Sequence, residues 1–200
     1  MSASDKQTLD FYANQAKSYL EYRPDHVNPE IPEFLSLLSP NSRILELGCG
    51  GGNDAEYMIA NGFDVEPTDG VAEMAAEAEV RLGRPVRVMR FDELDAVETY
   101  DAVIASATLL HVPVSELTPI LCRIWRALKP GGWHLATYKT AAAEGRDDHG
   151  RYYNYLSRDE ADIRYRMAGD WMSIEYDESA GVGYFSAPAQ WLKVVTRKAI

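Results

Sequence analysis

From Arg43 onward, short apolar runs alternate with stretches whose apolar positions recur every three to four residues. The first kind suits strands and the second suits amphipathic helices. The pattern predicts strands over residues 43–47, 64–68, 86–90, 100–105 and 133–139. Between them it predicts helices over 54–60, stopped by Gly62, over 72–82, closed by Gly83, and over 115–128. A further helix over 157–168 precedes two extended, aromatic-rich stretches at 171–178 and 189–198. Regular alternation of strand and helix makes a parallel α/β sheet. Upstream, Leu9, Tyr12, Ala13, Ala16, Tyr19 and Leu20 fall at helical spacing, so residues 5–22 read as an amphipathic helix ending before Pro24. A second short helix is expected over 31–38. No internal repeat or low-complexity linker interrupts the chain, so residues 1–200 are expected to form one domain, with 1–40 helical and 41–200 the α/β core.

Residues 44–53, Ile-Leu-Glu-Leu-Gly-Cys-Gly-Gly-Gly-Asn, join the first core strand to its helix through a glycine-rich turn. Strand, glycine turn and helix form the nucleotide-binding unit of doubly wound sheets, where glycine lets the backbone approach a ligand. The acids around the turn narrow the choice of ligand. Asp69 stands 21 positions after Gly48, at the end of the second strand, where a carboxylate accepts hydrogen bonds from ribose hydroxyls. It equally suits a cap on the next helix. Glu46, two positions before Gly48, repels a pyrophosphate and attracts an ammonium or sulfonium. Asn53 stands where a dinucleotide fingerprint carries its third glycine. These charges favour S-adenosylmethionine over NAD.

With these features the chain resembles the class I S-adenosylmethionine-dependent methyltransferases over most of its length. Glu46 to Asn53 resembles the first motif of that family, and Asp69-Gly70-Val71-Ala72-Glu73-Met74 the second. Arg90-Phe91-Asp92-Glu93-Leu94 is similar to the third, Tyr100 to Ser106 to the fourth strand, and Leu128-Lys129-Pro130-Gly131-Gly132 to the turn before the fifth. The resemblance implies a Rossmann-like, doubly wound, seven-stranded sheet, mostly parallel with an antiparallel C-terminal strand and helices on both faces. It also implies cofactor-binding roles for Glu46, Gly48, Cys49, Gly50 and Asn53, for Asp69, Gly70 and Met74, for Phe91 and Asp92, and for Ala105 and Ser106. Asp92 would hold the adenine amino group. The N-terminal helices would fold over the cofactor as a lid, bringing Tyr12 and Tyr19 to the pocket.

Composition bears on partners and compartment. Thirty-one acids against 20 Lys and Arg give a formal net charge of -11, which argues against a standing affinity for phosphate backbones. After the fourth strand stands Ser106-Ala107-Thr108-Leu109, not the Asn- or Asp-Pro-Pro-aromatic element of enzymes that methylate nucleic-acid amino groups. The overall pattern is closer to small-molecule enzymes resembling quinone-biosynthesis and tellurite-resistance methyltransferases. A small-molecule acceptor is expected, with neither nucleic acid nor membrane as partner and a monomer or homodimer as the working state. Cys49 and Cys122 are isolated, and His26 and His134 join no ligand set, so neither a disulfide framework nor a metal is expected. The first fifteen residues mix charges with polar groups and no apolar run reaches membrane-spanning length, so the expected compartment is the cytoplasm.

Methyl transfer is an in-line displacement that depends mainly on positioning, and it needs a base only when the acceptor must lose a proton. Three candidates for such catalytic chemistry are His111, just after the fourth strand, and Lys139 and Tyr153 in the segment 139–155. That segment crowds charges, glycines and aromatics between a strand end and a helix, as a binding loop does. Two alternatives remain beside a methyltransferase. One is a non-catalytic binder of S-adenosylmethionine; the other is a nicotinamide oxidoreductase, for which no Tyr-x-x-x-Lys pair is present.

Overall fold

The computed structural model describes residues 5–21, 26–183 and 187–200. Its core strands are β1 (Arg43–Leu47), β2 (Asp64–Asp69), β3 (Arg87–Val88), β4 (Tyr100–Ala105) and β5 (Leu128–Thr140). Two short strands come next, β6 (Gly145–Arg146) and β7 (Tyr152–Tyr153), and then β8 (Trp171–Val182) and β9 (Pro188–Lys198). The helices are α1 (Lys6–Glu21), α2 (Glu30–Leu35), α3 (Asn53–Ala60), α4 (Ala72–Leu82), α5 (Val114–Ala127) and α6 (Arg158–Ala168).

Seven strands form one sheet in the order β3-β2-β1-β4-β5-β9-β8, with β6 and β7 paired separately. Each of β1 to β5 runs parallel to its core neighbours, while β9 runs antiparallel to both β5 and β8. The order reverses between β1 and β4, so a crevice opens beyond the carboxyl ends of those two strands. This is the seven-stranded, doubly wound sheet that the sequence implied.

Apolar side chains cover both faces. On one, Leu117, Ile120, Leu121 and Ile124 of α5 pack with Tyr138 of β5 and Tyr165 of α6. On the other, Ile31 and Phe34 of α2 and Ala55 and Met58 of α3 pack on Ile44, Val65, Ile104 and Leu135. His134 is fully buried between β5 and α6. Its Nδ1 lies 2.8 Å from the Val103 carbonyl oxygen and its Nε2 lies 3.1 Å from the Tyr165 hydroxyl. Burial lowers its pKa to about 4, so it is a neutral structural residue.

Several boundaries differ from expectation for physical reasons. α2 ends at Leu35 because Leu37 and Leu38 bond back to Phe34 and Leu35 in tight i→i−3 turns. β3 shrinks to two paired residues because the Val86 N–H is taken by the Glu79 carboxylate. α6 begins one residue late because Ser157 is its N-cap, in a capping box with Glu160. The segment 139–155 is not an open loop. Asp147 accepts from the N–H groups of His149 and Arg151, folding the chain into the β6–β7 hairpin. Tyr22, the expected end of α1, lies outside the described residues.

Candidate active site

A cavity of about 450 Å³ lies where the sheet order reverses, within the size range of ligand pockets. Its base is the glycine turn. Gly48, Gly50 and Gly52 all have positive φ, which L side chains rarely adopt. At Gly48 a Cβ would also drive into the Thr108 side chain, so the close passage of β1 past the loop after β4 requires glycine. Tyr12 and Tyr19 of α1, with Leu20, face the turn, and a Cβ on Gly51 would collide with Leu20. The N-terminal helix therefore sits directly on the turn.

Three carboxyl groups stand at this end of the cavity, Glu46 and Asp69 buried and Asp54 partly so. Glu46 is 2 % exposed, and its Oε2 has no hydrogen-bond partner among the described residues. Burial, then Asp54 and Asp69 nearby, raise its pKa well above the usual carboxylate range. Asp54 is likewise raised by burial, against the pull of the Asn28 N–H, which it accepts at 2.8 Å, and of the Ser106 side chain nearby. Asp69 is pushed up to about 6 by burial, against the pull of the N–H groups it binds. Its Oδ2 accepts from Gly50 at 3.0 Å and its Oδ1 from Val71 at 2.9 Å. Asp69 thus ties the glycine turn to the start of α4, and its truncation would loosen that turn as well as remove a ligand contact. An orphaned buried carboxylate oxygen beside two further acids calls for a cation. The methionyl ammonium and sulfonium of S-adenosylmethionine supply that charge, so the residues present fit this group.

The burial predicts a pH effect on cofactor affinity. A bound cation favours the ionised acids, so binding expels protons wherever the ligand-free acids still hold them. S-adenosylmethionine should bind progressively less well as pH falls through about 6, where Asp69 protonates. Calorimetry in two buffers of different ionisation heat, at pH 5.5 and 7.5, should show greater proton release at the lower pH. Equal affinity at both would mean that these acids do not face the ligand's charge.

At the other end of the cavity stands a hydrogen-bonded chain. His111 Nδ1 lies 2.6 Å from the Tyr152 carbonyl oxygen, which can only accept, so Nδ1 carries the proton and Nε2 presents its lone pair. The Tyr12 hydroxyl donates to Nε2 at 3.0 Å, and Arg151 Nη1 donates to that hydroxyl at 3.3 Å. Burial lowers the His111 pKa to about 4, with Arg151 and Lys139 adding to the effect, so the ring is neutral near pH 7. Arg151 itself is 3 % exposed and is held by the Asp147 carboxylate at 2.7 Å.

Most residues implied by the motifs reach the wall. Gly48, Cys49, Gly50 and Asn53 lie on it beside Glu46. So do Asp69, Gly70, Met74, Phe91 and Ser106. Asp92 does not, because its carboxylate turns to Arg90 Nε at 3.3 Å, and Arg90 takes the place on the wall. Ala105 is also absent, since its side chain packs in the core against α5. Of the catalytic candidates only His111 lines the cavity. Lys139 lies behind the wall, its ammonium 4.4 Å from the centre of the Tyr153 ring, and Tyr153 packs 4.7 Å from the His111 ring. Asp54, Trp191 and Lys193 line the cavity without having stood out in the sequence. Among the described residues no group of His, Cys, Asp or Glu is placed to hold a metal, and no helix is long and apolar enough to cross a membrane.

A family model described as a methyltransferase domain matches residues 19–199. The chain belongs to this family, the class I S-adenosylmethionine-dependent methyltransferases. Its membership removes the nicotinamide alternative. The chain is 29 % identical over 147 residues to a ubiquinone biosynthesis O-methyltransferase of Chromobacterium violaceum, covering 66 % of this chain and 62 % of the relative. It is 24 % identical over 161 residues to hemagglutinin 1 of Eikenella corrodens, covering 76 % of this chain and 51 % of that one. The chain thus spans about half to three fifths of the length of these relatives. Among solved structures, a 1,6-didemethyltoxoflavin N1-methyltransferase of Burkholderia thailandensis, bound to S-adenosylhomocysteine, superposes with a TM-score of 0.77 at 20 % identity. That match covers 97 % of this chain and 88 % of its neighbour, and it shows the shared fold.

Proposed function

We propose that this methyltransferase moves a methyl group onto a small molecule whose reacting atom must first lose a proton, with His111 as the terminal base. The observation that supports this most is the chain from Arg151 through Tyr12 to the Nε2 lone pair of His111, with Tyr12 and His111 both on the cavity wall. S-adenosylmethionine supplies the methyl carbon, whose bond to sulfur breaks as its bond to the acceptor forms, leaving a neutral thioether. Glu46 and Asp54 hold the charged end of that donor, Asp69 takes its ribose hydroxyls, and the glycine turn admits its bulk. Tyr12 passes its hydroxyl proton to His111 Nε2 as it accepts the acceptor's proton, and Arg151 stabilises negative charge on the Tyr12 oxygen meanwhile. Residues 1–40 serve as the cover and 41–200 as the core.

The donor half of this proposal is testable without an acceptor. At about 100 times its dissociation constant a ligand adds about 2.7 kcal/mol of apparent stability. For a chain of this size that is a rise of roughly 5–10 °C in Tm. S-adenosylmethionine and S-adenosylhomocysteine should each produce it in differential scanning fluorimetry, and NAD should not. Once an acceptor is known, release of S-adenosylhomocysteine separates an enzyme from a protein that merely binds the donor.

A further inference from the structure

Part of the cavity wall belongs to the last two strands, and the donor chemistry makes no use of it. Gly181 and Val182 come from β8, and Trp191 and Lys193 from β9. The indole of Trp191 lies against bare backbone, since a Cβ on Gly181 would stand 3.0 Å from Trp191 Cδ1. The indoles of Trp125 and Trp171 donate to the carbonyl oxygens of Asp170 and Tyr165, whereas that of Trp191 has no acceptor among the described residues. Trp191 thus lines the cavity with an unspent donor, the Lys139 ammonium standing 5.9 Å from the centre of its ring.

The charges on the wall say what does not bind there. Lys193 is engaged by Glu30 at 2.8 Å, Glu33 at 3.2 Å and Asp177 at 3.5 Å, and Arg90 by Asp92 and Glu93. A phosphate or carboxylate on the acceptor would find both of these cations already paired. The base sets a second limit. Taking a proton from a phenol, with a pKa of about 10, opposes a gap of about six pK units to His111. An aliphatic alcohol, close to water at about 15.7, opposes nearly twice that gap. The Arg151 guanidinium behind Tyr12 favours the oxyanion, which a phenol forms more readily.

We infer that the acceptor is a flat, uncharged aromatic ring bearing a phenolic hydroxyl, seated against Trp191 with the hydroxyl at Tyr12. This rests on the methyl-transfer function proposed above. In the transfer the phenol O–H bond breaks and its proton goes to the Tyr12 oxygen, while the Tyr12 proton goes to His111 Nε2. The phenol oxygen's electron pair forms the new O–C bond, and the C–S pair returns to sulfur. Ring stacking gives Trp191 the role of a specificity-determining residue.

The test measures binding, by ligand-observed NMR and calorimetry, to full-length protein saturated with S-adenosylhomocysteine. The probes are catechol and 8-hydroxyquinoline, against glycerol and phosphoethanolamine. The two hydroxyarenes should bind saturably and the two aliphatic probes should not. Trp191→Ala should weaken hydroxyarene binding by about tenfold, the scale of a lost aromatic stack. Trp191→Phe should keep it within about threefold, because a flat ring remains. S-adenosylhomocysteine affinity should be unchanged in both variants. Aliphatic probes binding as tightly as the arenes, or hydroxyarene affinity insensitive to Trp191→Ala, would overturn this inference alone. Failure of the wild type to bind S-adenosylhomocysteine would overturn the methyl-transfer function and the inference with it.

Discussion

Replacing His111 with asparagine is expected to lower kcat by about 10²–10⁴-fold at neutral pH, the usual contribution of a positioned general base. The ring's Nδ1–H is held by the Tyr152 carbonyl and its Nε2 receives the Tyr12 hydroxyl, so no other buried group can take the proton along this line. Asparagine keeps a donor for the carbonyl but offers no comparable basic nitrogen. Tyr12→Phe should cause a comparable loss, because it leaves a gap between acceptor and imidazole while preserving the packed ring. The pH profile separates base from scaffold. With both substrates saturating, wild-type kcat should be flat above about pH 5 and fall as His111 takes a proton near 4. The kcat/KM for the donor should already decline near 6, where Asp69 protonates. A loss below about tenfold in His111→Asn, with the low-pH limb intact, would make His111 a structural turn residue.

The donor end of this site was legible because its chemistry is local. Gly48 and Gly50 must turn with positive φ within a few residues of Glu46, and Asp69 comes at the next strand end. A one-dimensional pattern can carry that. Asp92 stands off the wall because Arg90, two residues before it, claims its carboxylate, which a pattern marking an acid at a strand end does not show. The acceptor end depends on contacts across the chain. Trp191 reaches the cavity only because β9 inserts antiparallel between β5 and β8, in a register that sets it opposite Lys139 and Ser179. The β6–β7 hairpin has two residues per strand, too few to show periodicity. Its order comes from far away: Asp5 binds Arg146 at 2.7 Å, and the Thr8 hydroxyl accepts from the Tyr152 N–H at 2.8 Å. His111 was visible as a candidate, but its role depends on Tyr12, 99 positions earlier.

Those same contacts govern the effect of removing α1. A chain beginning at His26 should keep its folded α/β core, because α1 packs mainly through a small cluster of its own. Ala16 meets Val71 and Met74 there, apart from the two large clusters on the sheet faces. The donor site, however, loses the Tyr12, Tyr19 and Leu20 wall over the glycine turn. S-adenosylhomocysteine should therefore bind at least about tenfold more weakly, as expected when aromatic and aliphatic contacts are lost together. Turnover should fall by about 10³-fold or more, since the proton path loses Tyr12 and the cavity admits water. Far-ultraviolet circular dichroism should show only the missing helix. In the intact protein, hydrogen exchange should slow across both α1 and the β6–β7 hairpin when S-adenosylhomocysteine is added. The Asp5–Arg146 and Thr8–Tyr152 bonds make the two segments close as one cover, and such closure often limits turnover. Protection confined to the glycine turn would show that α1 is a fixed wall and not a closing cover.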